Sequence, residues 1–214
     1  MKSGNRKLVL GVTGAIASGK SEIRRALESA GCLGIDADLV SHELIHSGEP
    51  AYTPIVARYG EAVLQSTEIS ETQEINRKEL ARIVFSDENE LKWLESVLHP
   101  AVTQRIRSLI LAAERPVVIE AIKLMDSGLK NLCTQCWLAD ADEKIRIARL
   151  MEKRGYSYET AVHRIAAQKS IDWNSYRFNA IIDTAVPLEE LWEHTLMLWN
   201  RLIQDDSGSV FPRA

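Results

Sequence analysis

At 214 residues, with 45% hydrophobic and 26% charged side chains, the chain has the composition of an ordinary globular domain and excludes disordered and fibrous classes. Its formal charge of −4 speaks against indiscriminate nucleic-acid binding, and no uncharged apolar run approaches bilayer length, the densest being 108–113. Three cysteines cannot all pair, which fits a reducing, cytoplasmic setting better than a secreted framework. The oligomeric state is not written in these features, and a monomer is the default expectation.

The first predicted strand is the apolar run Leu8 to Thr13, continuous as expected when both faces of a parallel sheet are covered. Lys2, Arg6 and Lys7 before it, with Ala15 and Ala17 after it, imitate a secretion signal. Ser18-Gly19-Lys20-Ser21 decides the matter, because it completes a phosphate-loop pattern. A helix follows from Gly19 to Ser29, and Gly31 supplies its left-handed cap. Cys32 to Ile35 reads as a second strand delivering Asp36 and Asp38. The next eighty residues carry no strand pattern, and helices are predicted over 40–46, 51–59, 77–85 and 88–112, with an exposed loop over 61–76. Pro116 announces a third strand, 117–119, ending in Glu120. Further strands are predicted at 136–139 and 180–182, the latter ending at Asp183. An arginine-rich helical stretch over 142–169, broken at Gly155, lies between them. Pro187 starts a last helix with Leu188, Leu191, Leu196, Leu198 and Trp199 as core residues, and a frayed tail begins at Asp205. Tryptophans 93, 173, 192 and 199 are read as core residues of apolar helical patterns.

These elements predict an α/β fold of P-loop NTPase type: three layers, a five-stranded parallel sheet, a helical insert domain and a lid. The core comprises 1–38 and 113–204, the lid about 146–168, the helical insert 39–112 and the tail 205–214.

The segment Gly14, Ala15, Ile16, Ala17, Ser18, Gly19, Lys20, Ser21 matches G-x-x-x-x-G-K-[ST] in full. Its glycines let backbone N–H groups curl round phosphate oxygens, and the helix behind presents its positive end. Lys20 reaches the β and γ phosphates of ATP, and the Ser21 hydroxyl ligates Mg²⁺. Glu22 and Arg149 join the nucleotide-binding set. In open α/β sheets ligands sit beyond the carboxyl ends of the strands, where Asp36 and Asp38 fall. If the segment stays extended, the two project to similar sides; one accepts the proton of an attacking hydroxyl and the other orients Mg²⁺, the competing reading being helix caps. Glu120, grouped with the substrate-binding residues, is a Walker-B-like candidate for holding a metal-bound water. Arg146, Arg149, Lys153 and Arg154 supply cations for the charge that builds during phosphoryl transfer, and Arg77, Lys78 and Arg82 suit an anionic acceptor.

Two motifs compete. His42-Glu43-Leu44-Ile45-His46 fits a zinc-protease pattern, with glutamates 61, 68 and 71 as possible third ligands, against two solvated helix histidines. Cys133 and Cys136 form a lone C-x-x-C that leads into a strand, unlike a redox motif.

Taken together, GVTGAIASGKS, IDAD, HELIHSGEPAY, NRKELARIVFSDENELKWLESVLHP, SGL, ARLMEKRG and RIAAQ resemble the dephospho-coenzyme A kinases over about 8–202. The resemblance implies transfer of the ATP γ-phosphoryl group to the ribose 3′-hydroxyl of dephospho-coenzyme A. By position it makes Asp38 the general base, gives Lys20 and Ser21 their phosphate and Mg²⁺ roles, maps the lid cation to Lys153 beside Arg154, and assigns the insert with His99 to the acceptor. Asp36, Arg77, Arg82, His99, Glu120 and Lys123 form the expected substrate-binding set. The chain departs from the family in Glu120, in 122–126 (Lys123 stands where the family is apolar), in the longer loop before Arg77, and in Asp183-Thr184, where the family has Asp-Asn near the adenine. A kinase for another small hydroxyl acceptor and a non-catalytic nucleotide-binding homologue are the alternatives.

Overall fold

The computed structural model describes residues 7–67, 70–168 and 171–208. The chain divides into two compact units, Met1–Ile35 with Ala113–Ala214, and Asp36–Ala112.

The first unit is built on a five-stranded parallel sheet. Its strands are β1 (Val9–Thr13), β2 (Leu33–Asp36), β5 (Val117–Glu120), β6 (Gln135–Asp140) and β7 (Ala180–Asp183), in the order β2-β5-β1-β6-β7. Central β1 is buried along its whole length and pairs in parallel with β5 (Val9 opposite Val117) and β6 (Leu10 opposite Gln135). That position explains its unbroken apolar run, since neither face meets water. Leu10 and Val12 from β1, Ile23 and Leu27 from helix α1 (Lys20–Ser29), Trp137 from β6, and Leu191 and Trp199 from helix α8 (Leu188–Gly208) form one core cluster. Each such side chain contributes about 1.5–3 kcal/mol by leaving water.

Helices α6 (Glu143–Arg154) and α7 (Tyr158–Ala166) are separated by Gly155, whose φ of 64° is the left-handed geometry that ends α6. Ser157 starts α7 by accepting from the Thr160 amide. Within α8, Leu188 is exposed, against expectation, because it stands in the first turn, one turn before the stripe of Leu191, Trp199 and Leu202 that is buried. Leu196 and Leu198 are half-buried, as are Trp93, Trp173 and Trp192, so of the four tryptophans expected in the core only Trp199 is fully there. The helix runs on to Gly208, past the expected start of the tail; residues 209–214 lie outside the described residues, as do Lys2 and Arg6.

The second unit comprises α2 (Ala37–Glu43), α3 (Tyr52–Tyr59), a 3₁₀ turn at Gly60–Val63, an antiparallel pair β3 (Leu64–Thr67) and β4 (Ser70–Ile75), α4 (Arg77–Val84) and α5 (Glu88–Ala112). The hairpin corrects the loop expected over 61–76. Its residues are largely polar, so no apolar alternation marks it; Val63 and Ile75 at its base are buried, and the strands are joined by cross-strand backbone pairing. Asn76 caps α4 by accepting from the Lys78 and Glu79 amides. Arg58 pairs with Glu90 at 2.7 Å, stacks 4.5 Å from the Trp93 ring centre and so ties α3 to α5. The Glu90 carboxyl is held down at about 2 by hydrogen bonds from Arg58 and Tyr59.

Candidate active site

The site in the first unit is the loop between β1 and α1. Gly14 has a φ of 146°, and a Cβ there would stand 2.3 Å from the Ala139 carbonyl oxygen, so no side chain fits. Ala17 adopts a φ of 60°, unusual for a non-glycine residue. Lys20, only 7% exposed, folds back so that its ammonium donates to the carbonyls of Gly14 (3.0 Å) and Ala15 (2.9 Å). The cation is thereby held against the loop from which the amides of an anion cradle project.

Ser21, in the first turn of α1, donates its hydroxyl to Glu120 Oε1 at 2.7 Å. Glu120 closes β5, next to β1 in the sheet, and its other oxygen accepts from Arg24 Nε at 2.9 Å. Arg24 also bonds Glu28 at 2.6 Å. Burial works against the Arg24 charge, but the two carboxylates outweigh it and hold its pKa above the ordinary value. Sequence reasoning missed Arg24. The available signal was its spacing, three residues after Ser21 and so on the same helical face.

Thr184, immediately after β7, is fully buried, and its hydroxyl donates to the Ser18 carbonyl at 2.7 Å with the Asp140 carbonyl at 3.0 Å. Arg149 of α6 donates to the Thr184 hydroxyl at 3.0 Å, to the Thr184 carbonyl, and to the Ala17 carbonyl at 3.2 Å. Arg149 and Thr184 thus brace the outside of the loop. Lys153 lies 3.3 Å from Glu22 Oε1, and Arg25 bonds the other Glu22 oxygen at 2.5 Å. Burial pushes the Glu22 carboxyl up, yet the bonds from Arg25 and Lys153 prevail and hold it below the usual carboxylate range. Arg154, the last residue of α6, is exposed, as is Lys123 beyond β5.

The remaining expected residues lie in the second unit. The 35–38 segment does not stay extended: Asp36 ends β2 and caps α2, its Oδ1 accepting from the amides of Asp38 (3.0 Å) and Leu39 (3.2 Å). Asp38 is exposed in the first helical turn, so alternation across Ala37 does not describe the pair. Arg77 donates to the His42 ring at 2.8 Å, Arg82 pairs with Glu79 at 2.8 Å, and His99 is half-buried on α5. The zinc reading of 42–46 finds no support. Helix α2 ends at Glu43, His42 meets Arg77, and His46 meets Glu74 at 3.1 Å. Among the described residues no cluster of three His, Cys, Asp or Glu side chains is placed to hold a metal. Glu68 lies outside the described residues, and the side chain of Glu71 is not among those described. Cys133 precedes β6 and Cys136 lies buried within it; the hydrogen bond between them pushes the Cys133 thiol up and the Cys136 thiol down.

A parallel sheet whose central strand runs into a lysine-bearing glycine loop, with a serine–carboxylate pair at its base, is the arrangement of a P-loop nucleotide-binding protein. The dephospho-CoA kinase family model matches residues 8–189. The chain belongs to that family. It is 41% identical over 161 residues to the dephospho-CoA kinase of Synechococcus sp. (strain CC9605), covering 74% of this chain and 76% of the relative. It is 35% identical to that of Geobacter metallireducens over 201 residues, 92% of this chain and 98% of the relative. Among solved structures, TT1252 from Thermus thermophilus superposes with a TM-score of 0.75 at 27% identity, over 92% of this chain and 98% of that one. The dephospho-CoA kinase from Campylobacter jejuni, with a TM-score of 0.63 at 22% identity over the same shares, speaks for the fold alone. Among the described residues no helix is long and apolar enough to cross a membrane.

Proposed function

We propose that the chain catalyses transfer of the γ-phosphoryl group of ATP to the ribose 3′-hydroxyl of dephospho-coenzyme A, giving coenzyme A and ADP. The observation that carries the reading is the preformed loop with Lys20 folded onto its carbonyls, in a chain of this family. The bond from the 3′-oxygen to the γ-phosphorus forms as the bond to the β–γ bridging oxygen breaks, and the hydroxyl proton goes to Asp38 as general base. Lys20 binds the β and γ phosphates, with loop amides other than those of Ile16 and Ser18, which donate to Gln168 and to the Ala15 carbonyl, around them. Lys153 and Arg154 stabilise the charge that builds on the transferred group, Lys153 exchanging Glu22 for phosphate oxygens. Arg149 supports the nucleotide through the loop carbonyl it already holds.

The donors at the base of the loop suit Mg²⁺, which takes oxygen ligands, keeps several waters and uses few protein groups. Ser21 Oγ would be its ligand, and Glu120, 2.7 Å from that oxygen, would hold a metal-bound water. Bound there, Mg²⁺ neutralises phosphate charge. Asp36, Arg77, Arg82, His99 and Lys123 belong to acceptor recognition, with 39–112 as the acceptor domain, 1–38 and 113–204 as the nucleotide core, and 146–168 as the lid.

The test is ADP release in the presence of ATP, Mg²⁺ and dephospho-coenzyme A, with the product identified by mass. Expected is coenzyme A formation that falls about 10²–10⁴-fold in Asp38→Asn, the span general-base catalysis supplies. Folded, ATP-binding protein that forms no coenzyme A would overturn the reading.

A further inference from the structure

The peptide unit joining Ala15 to Ile16 is gripped at both ends. Its carbonyl accepts from the Lys20 ammonium at 2.9 Å, and its N–H donates to the side-chain oxygen of Gln168 at 2.7 Å, across 152 positions of sequence. A peptide unit is planar and trans, so its C=O and N–H point in opposite directions and rotate together. Whatever fixes the Ile16 amide therefore also aims the Ala15 carbonyl, and with it the lysine that meets the phosphates. Gln168 follows α7 directly, after the cap residue Ala167.

Helices α6 and α7 pack against the same loop. The side chains of Ile16 and Ala17 lie against a buried cluster of Ile147, Leu150, Ala161 and Ile165, drawn from α6 and α7. A left-handed alanine such as Ala17 persists only where its surroundings impose it, and here the cluster and the Arg149 bond to the Ala17 carbonyl do so. The two helices thus bear on the loop, and Gln168 adds a hydrogen bond from the backbone N–H of Ile16.

We propose that Gln168 is a positioning residue for the phosphoryl donor: by fixing the Ala15–Ile16 peptide it sets Lys20 in place for ATP. The proposal rests on the nucleotide role of the loop argued above. It concerns ATP and not the acceptor, which separates it from a general effect on folding.

The experiment compares wild type, Gln168→Met and Gln168→Glu. Methionine matches glutamine in length and lacks the acceptor oxygen; glutamate retains one. In nucleotide-free protein, amide exchange read by NMR should quicken at Ile16 by about tenfold or more in the methionine variant, as expected for an amide losing its hydrogen bond. Leu10 and Val12 in β1 should stay slow, showing that the fold is intact, and the glutamate variant should restore slow exchange at Ile16. The dissociation constant for ATP, measured by calorimetry without acceptor, should rise about fivefold in Gln168→Met, the weight of one net hydrogen bond, while that for dephospho-coenzyme A stays unchanged. Unaltered Ile16 exchange in Gln168→Met, fast exchange in Gln168→Glu, or equal weakening of both ligands would overturn the proposal. These readouts need no turnover, so a wild type that binds ATP without forming coenzyme A would refute the proposed reaction and leave Gln168 to be judged on its own.

Discussion

Replacing Thr184 with valine isolates one hydroxyl at almost constant shape. In the native protein that hydroxyl is fully buried, donates to the Ser18 carbonyl at 2.7 Å and accepts from Arg149 at 3.0 Å. Two neighbours are covered after the change: the Asp140 carbonyl keeps the Thr184 amide at 2.9 Å, and Arg149 keeps the carbonyls of Thr184 and Ala17. The Ser18 carbonyl loses its hydroxyl donor, and an uncompensated buried acceptor costs about 1–3 kcal/mol. With about 2–4 °C per kcal/mol for a chain of this size, a central cost of about 2 kcal/mol lowers Tm by about 4–8 °C. Thr184→Ser keeps the hydroxyl and loses only a methyl group, about 1 kcal/mol, so its Tm should fall by about half as much. Thermal unfolding of both variants by circular dichroism checks the order. A serine variant as damaged as the valine variant would show that packing and not the hydrogen bond holds Ser18, and would refute the reasoning.

The two aspartates of IDAD should separate cleanly. Asp36→Ala removes the cap of α2 and should cost about 1 kcal/mol in chemical denaturation, whereas exposed Asp38→Asn should shift the midpoint less while carrying the loss of turnover. The His42 imidazole should titrate below its ordinary 6.5, first because burial disfavours its charged form and then because Arg77 stands beside it. The folded state thus prefers neutral His42, so its contribution is complete above about pH 6.5 and is lost as pH falls through the lower folded value. An NMR titration checks this: Arg77→Gln should move the His42 midpoint up, and a midpoint indifferent to Arg77 would contradict the contact.

Much of the frame is local and was legible in the residues. The apolar run of β1 and the proline before β5 reflect positions inside a covered parallel sheet, and the glycines of the phosphate loop reflect backbone geometry that excludes a Cβ. Helix α5 runs over Glu88–Ala112 as expected, since a long helical pattern between turn residues is written in neighbouring positions. The β3–β4 pair escaped because polar strands carry no alternation, and the sequence left the backbone at Asp36 between extension and capping because both are open to an aspartate at a strand end; the structure has the cap. The supports of the site were beyond reach for a different reason. Arg24 to Glu120 spans 96 positions, Thr184 to Ser18 spans 166, and Gln168 to Ile16 spans 152. The sequence by itself determined the loop that grips phosphate, because its chemistry is contiguous. Only the tertiary structure decided what holds that loop in shape, because those hydrogen bonds exist once the sheet has closed and brought distant strand ends and helix ends together.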